Sequence, residues 1–308
     1  NGSASGAVQA SSIAWEETLL KNAKADFLYS AQSFKVKKAK ANLYDGEVSG
    51  DADLNLKTDV ISFDFDVKKA KLEKMPSVKG FTKGLANLKF KGSSDLSSKD
   101  ITETLNANGN VQTLDLEIPR LKLLQQIFEK PVWNRIKKIK GLPIKVSSVQ
   151  SYVKKHQAVD NLKSKFAIKN GAVDFKGGSL DMPLASLDFK GAYSLKNAVD
   201  VKGSLYLKKQ LMKKAVSNPQ WLNLICSRND KLKIPITIKG ALPDVKVSID
   251  EKALYAHFQN AAIRYAKGAG KQKLKDKVIE TVKNKKVKEK VKSIHKDVKS
   301  KVGNVLGL

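Results

Sequence analysis

From Phe34 to Ile249 apolar and polar residues alternate almost one for one, and this habit restricts the fold more than any other property of the chain. Phe34 and Val36, then Ala39, Ala41 and Leu43, are interleaved with lysines and Asn42. Beyond Tyr44-Asp45-Gly46, Val48, Ala52, Leu54 and Leu56 fall on one side, and Ile61, Phe63, Phe65 and Val67 follow with Ser62, Asp64 and Asp66 between them. A period of two gives each strand one apolar face and one wet face, whereas a helix would scatter the same residues around its circumference. The pattern returns in Leu85, Leu88 and Phe90 before Lys91-Gly92, and in Val111, Leu114, Leu116 and Ile118 before Pro119. Phe166 and Ile168 lead through Asn170-Gly171 to Val173 and Phe175, a tight-hairpin signal because both turn residues tolerate positive φ. Leu187-Asp188-Phe189-Lys190-Gly191 is answered by Val199-Asp200-Val201-Lys202-Gly203, and Ile234, Ile236, Ile238, Val245, Val247 and Ile249 close the series.

Short strands with frequent turn signals predict an antiparallel meander, and few intervals before about residue 205 have room for a crossover helix. Helical spacing interrupts the meander near 120–140, at Leu121, Leu124, Gln125, Phe128, Trp133, Ile136 and Ile139. It does so again near 208–227, at Leu211, Ala215, Trp221, Leu222 and Ile225. Trp15, Leu19, Leu20 and Ala23 predict a short helix near the start. From Lys252 onward Leu254, Phe258, Ala262 and Tyr265 step by three or four, and a narrow stripe of Leu274, Val278, Val282, Val287, Val291, Ile294, Val298 and Val302 continues among lysines. The expected organisation is an N-terminal segment (1–33), an antiparallel β domain (34–250) with helical insertions, and a basic helical tail (251–308).

The formal charge is +28, from 58 basic and 30 acidic residues, and only Arg120, Arg135, Arg228 and Arg264 are arginine. Lysine is a hydrated point charge without the planar fork that reads phosphate or guanine, so the excess fits diffuse attraction to an anionic surface, or plain solubility, better than nucleic-acid readout. The phenylalanines share the alternating face with Leu, Ile and Val, as core or lining residues do, which also argues against a platform for stacked bases. The tail has three readings. It packs on the end of the sheet, lies on an anionic membrane through Lys271, Lys273, Lys275, Lys285, Lys286, Lys288 and Lys292, or pairs with another helix. No stretch approaches the ~20 apolar residues of a membrane-spanning helix, and Asn1 to Ser12 are small and polar, unlike the start of a signal peptide.

No catalytic constellation is legible. Phosphate-binding and nucleophile-elbow motifs do not occur. Asp64, Asp66, Asp188 and Asp200 occupy the wet positions of strands, and His156, His257 and His295 are too far apart for a zinc site of ordinary spacing. Cys226 is the single cysteine, so no intrachain disulfide forms. The expectation is a chain without enzymatic activity, metal or cofactor.

Four segments resemble the AsmA-like proteins of Gram-negative envelopes, relatives of TamB. They are Ala39 to Gly50; Leu85 to Gly92, continuing through Leu105 to Asn110 and Leu116; Phe166 to Gly171, continuing to Gly191 and Gly203; and Ile234 to Gly240 with Pro243. They span about residues 35–250 in the family's order. The resemblance implies a mainly β fold: an elongated, curved antiparallel sheet, open as a groove or taco, with short helices and a C-terminal amphipathic helix. It implies a periplasmic protein, associated with the inner membrane in its full-length form, that works in phospholipid transport or outer-membrane assembly. Its partners would be phospholipid or another apolar ligand, an anionic membrane surface and other envelope proteins. Family members usually carry an N-terminal membrane helix, which the residues here lack, and the lysine-rich helix is longer and more basic than the family's pattern. The candidate groove lining is Leu54, Leu56, Phe63, Phe65, Leu88, Phe90, Leu114, Leu116, Phe175, Phe189, Val201, Leu205, Ile236 and Ile238. The same residues would also suit the core of a closed sandwich, in a scaffolding protein whose basic tail binds partners.

Overall fold

The computed structural model describes residues 2–15, 17–118, 121–155, 159–194, 198–226, 230–241, 244–268, 280 and 289. Thirteen strands form one antiparallel sheet in strict chain order. They are β1 (Ala4–Trp15), β2 (Thr18–Tyr29), β3 (Ser33–Leu43), β4 (Gly46–Asn55), β5 (Val60–Lys71), β6 (Lys83–Asp95) and β7 (Asn106–Glu117), then β8 (Asn161–Lys169), β9 (Ala172–Asp181), β10 (Ala185–Ser194), β11 (Ala198–Lys208), β12 (Lys231–Ala241) and β13 (Asp244–Ile249). The sheet is curved and does not close. At ~4.8 Å between strands it extends roughly 55–60 Å from β1 to β13.

The meander expected over 34–250 is the observed fold, and it starts earlier. Residues 4–29 are two further strands of the same sheet, so the short helix expected at Trp15–Ala23 is a correction. The reason is a break in phase. Asn22 has a positive φ and the β2–β3 register shifts around it, so Leu20 and Ala23 reach the same face three residues apart, which imitates helical spacing. Lys38 and Lys69 make similar bulges in β3 and β5. Their freed backbone N–H groups donate to the side chains of Asp51 (2.8 Å) and Asn87 (2.9 Å) on the next strand.

The connections alternate between two edges of the sheet. One edge carries tight turns, a short helix α1 (Ile101–Thr104) before β7 and the Asn170-Gly171 hairpin, where both residues have positive φ as expected. The other edge carries nearly all the helices. Between β7 and β8 lie α2 (Leu123–Phe128), α3 (Val132–Ile136) and α4 (Val146–Lys155); between β11 and β12 lie α5 (Lys209–Ala215) and α6 (Pro219–Ile225). A seventh helix, α7, is described over 251–268. The insertions near 120–140 and 208–227 are therefore helical as expected, and α4 extends the first of them.

Side chains cap some of the helix starts. The Asn218 side chain accepts from the N–H groups of Gln220 and Trp221 with Pro219 at the first position of α6, and Asp250 caps α7 by accepting from Ala253 N–H at 2.9 Å. The helices lie on the apolar face of the sheet and make one core with it. Leu205, Leu207, Leu232 and Ile234 from β11 and β12 are completely covered by Leu211, Met212, Ile225 and their neighbours. Trp133, 1 % exposed, stacks on Phe128 at 4.9 Å and donates its indole N–H to Ile127 O at 2.9 Å. On α7, Leu254, Phe258 and Ala261 close the layer, and Tyr265 stacks on Trp221 at 4.4 Å. Each large side chain buried in this way contributes about 1.5–3 kcal/mol.

The candidate apolar face

Strand partners directly opposite one another share a face, so the register shows which side chains stand together. Phe65 of β5 pairs with Gly50 of β4 and Phe90 of β6; Phe90 pairs with Gly109 of β7; Gly109 pairs with Phe166 of β8; and Phe166 pairs with Phe175 of β9. The row continues through Gly191 and Val201 to Ile238 and Val247 on β13. In the other direction it runs through Ala39 and, two residues along, from Ala52 and Val36 to Phe27 and Gly6. One apolar face therefore crosses all thirteen strands.

Glycine alternates with phenylalanine along that face. Phe27 stands opposite Gly6, Phe63 opposite Gly92, Phe175 opposite Gly191, and Phe189 opposite both Gly178 and Gly203. A Cβ on Gly50, Gly92 or Gly203 would run into a carbonyl oxygen of the neighbouring strand, those of Asp64, Asn106 and Asp188 respectively. The strands are thus bent toward this face at the glycines, which is how a sheet acquires curvature. Lys91-Gly92, Lys190-Gly191 and Lys202-Gly203 lie inside strands and mark bends, because a glycine on the crowded side of a curved sheet relieves contact without ending the ladder, whereas Lys239-Gly240 stands at the end of β12.

The helices divide the face into two parts. Of the proposed lining, Leu116, Val201, Leu205, Ile236 and Ile238 are buried beneath or beside the helical layer, at 3, 9, 0, 4 and 8 % exposure. Leu54, Phe63, Phe65, Leu88, Phe90, Phe175 and Phe189 are half-buried. Leu56 lies beyond the end of β4 and is exposed. Leu114 is a correction. It pairs with Leu85, out of phase with the Leu88–Val111 pair, so it stands on the opposite face; the positive φ of Asp115 then turns Leu116 back toward the core.

The half-buried part is aromatic at its centre. Phe63, Phe65 and Phe90 form a mutual cluster with ring centroids 5.7–6.0 Å apart, Phe27 stacks on Phe34 at 6.2 Å, and Phe175 meets Phe189 edge-on at 5.8 Å. Phe34 and Val8 are 37 and 54 % exposed. Contiguous exposed apolar surface is costly in water, and proteins commonly use it for interactions.

The opposite face is a lattice of exposed ion pairs, including Lys35–Asp53, Lys37–Asp51 and Lys239–Asp200 at 2.8–3.3 Å. Two open depressions of about 600 Å³ lie on this polar face, one bordered by Lys37, Asp51, Asp64 and Lys91, the other by Asp174, Lys190, Asp200 and Lys202. Their walls are mobile-ended, mutually neutralising side chains. The apolar face is an open surface instead of a cavity.

At the helix-bearing edge, Tyr44 and Asp45 both have positive φ and turn the chain between β3 and β4. Asp45 accepts from Lys74 at 2.7 Å and Lys71 at 2.9 Å, and these ammonium groups hold its carboxyl down at about 2. Cys226 is buried, and desolvation pushes its thiol up to about 11, so it is a neutral, packed side chain. His257 contacts Ile225 O through Nε2 at 2.7 Å and Arg264 donates to Leu224 O at 2.9 Å, so both tie α7 to the end of α6. Among the described residues no group of His, Cys, Asp and Glu is arranged to hold a metal ion, and no helix is long and apolar enough to cross a membrane. The seven tail lysines proposed to contact a membrane, with His156 and His295, lie outside the described residues. No protein-family model, curated protein or solved structure matches this chain.

Proposed function

We propose that this protein holds an apolar ligand, phospholipid above all, against the half-open part of its apolar face, from β2 to β9. It would serve phospholipid transport or outer-membrane assembly in the periplasm and carry out no bond chemistry. The observation that carries the reading is the apolar face that crosses every strand of the sheet, of which the helices cover only the C-terminal part. Leaving Phe63, Phe65, Phe90 and their neighbours half in water is costly, and an acyl chain laid along them removes that cost without demanding a polar partner. The ion-paired opposite face keeps the ligand-bearing sheet soluble. The envelope setting rests on the four segments that resemble AsmA-like proteins. A closed two-sheet core, the alternative arrangement, has no counterpart here, since every strand described belongs to one sheet.

Native mass spectrometry of the freshly purified protein tests the reading. Phospholipid masses bound to the chain, displaced by a fluorescent fatty acid, are the expected result. A lipid-free chain with no affinity for that probe overturns it.

A further inference from the structure

We infer that the outward side of the helical layer is a docking surface for an anionic phospholipid bilayer. Between residues 118 and 159 the sequence places eight lysines and two arginines against the single carboxylate of Glu129, and α5 and α6 add Lys209, Lys213 and Lys214 with no acid. The apolar halves of these helices are committed to the core, so the charge is forced outward. Lys137, Lys138, Lys140, Lys145, Lys154 and Lys213 are all exposed.

Their treatment differs from that of the lysines on the sheet. Strand lysines are repeatedly matched by an aspartate on the neighbouring strand. Among the described residues, none of the six helical-layer lysines has a carboxylate within ion-pair distance. In this layer Arg135 pairs with Glu251 at 2.7 Å and Lys209 with Asp230 at 2.7 Å.

Helix α4 packs beside α2 and α5. Lys145 N–H donates to Ala215 O at 2.8 Å, and the Lys214 ammonium lies 4.9 Å over the ring of Tyr152, which ties α4 and the segment before it to the end of α5. Like charges gathered this closely repel one another, and an opposing sheet of lipid phosphates relieves that repulsion. The basic groups are almost all lysine, suited to a diffuse anionic plane more than to the forked contacts of nucleic-acid readout. No large side chain of α2–α6 is among the strongly exposed apolar residues described, so attachment is electrostatic and weakens with salt. None of these lysines lies in residues 271–308, and the inference stands whether or not the sheet carries lipid.

The test is co-sedimentation of the whole chain with vesicles of phosphatidylcholine alone or mixed with phosphatidylglycerol. Binding is expected only to the mixed vesicles. Replacing Lys138→Gln, Lys140→Gln and Lys145→Gln together should weaken it on the order of a hundredfold, while Lys→Arg at the same positions restores it. Two results overturn the inference: unchanged binding in the glutamine variant, or an equal loss from Lys285→Gln, Lys286→Gln and Lys288→Gln in the tail. A glutamine variant that loses duplex DNA but keeps the vesicles overturns it as well and assigns the surface to nucleic acid. Fatty-acid binding to the sheet, unaffected by these substitutions, reports separately on the proposed ligand.

Discussion

A phenylalanine on the apolar face nearly always looks across at a glycine, and the pairing has consequences that single substitutions can read. Gly50 stands opposite Phe65, with Asp64 O where a Cβ would go. Backbone cannot move aside as a side chain can, so Gly50→Val should destabilise the protein by about 1–3 kcal/mol. Gly177 of β9 has nothing within 4 Å of a built Cβ, and Gly177→Ala should change stability by no more than about 0.5 kcal/mol. Urea melts of the two variants check the contrast. Asp45 gives a prediction in pH. Its carboxyl is held at about 2, first by Lys74 and then by Lys71, below the usual aspartate value. A depressed folded-state pKa stabilises the fold above the unfolded value, and this contribution fades as pH falls from about 4 through 2. An NMR titration should find the Asp45 midpoint well below those of ordinary aspartates; a midpoint near 4 would mean the two ammonium contacts do not form.

The elements show which parts of the fold could be read from residues and which could not. Alternation identified the strands from β3 to β13 because a half-buried strand leaves a period of two wherever its phase is unbroken. It failed at β2, where the bulge at Asn22 shifts the phase, and at Leu114, where Asp115 does the same. The helical insertions were legible from Trp133, Leu211 and Trp221, but their position on the apolar face was not. Spacing shows which side of a helix is apolar, never which part of a sheet it covers. That division of the face predicts two kinds of variant. Trp133→Ala removes a side chain buried among Phe128 and Phe258 and should cost about 3–5 kcal/mol. Phe65→Ala, on the half-open part, should cost less stability and weaken fatty-acid binding more, which melting and fluorescence titration together resolve.

Over the whole molecule, curvature, coverage and charge fit one arrangement. Glycines bend the sheet toward its apolar face, helices fill one stretch of that face, and the remaining stretch lies open beneath an ion-paired back. In the proposed arrangement the ligand occupies the open stretch and the basic helical layer faces a bilayer. Photo-crosslinking with p-benzoylphenylalanine measures the first of these directly. The probe is placed in turn at Phe65 on the open apolar face, at Asp64 on the polar face and at Leu205 under the helices, and each protein is illuminated with phospholipid vesicles. The account predicts a lipid adduct at position 65 and none at 64 or 205. Equal adducts at 64 and 65, or none at 65 in a correctly folded chain, would contradict it.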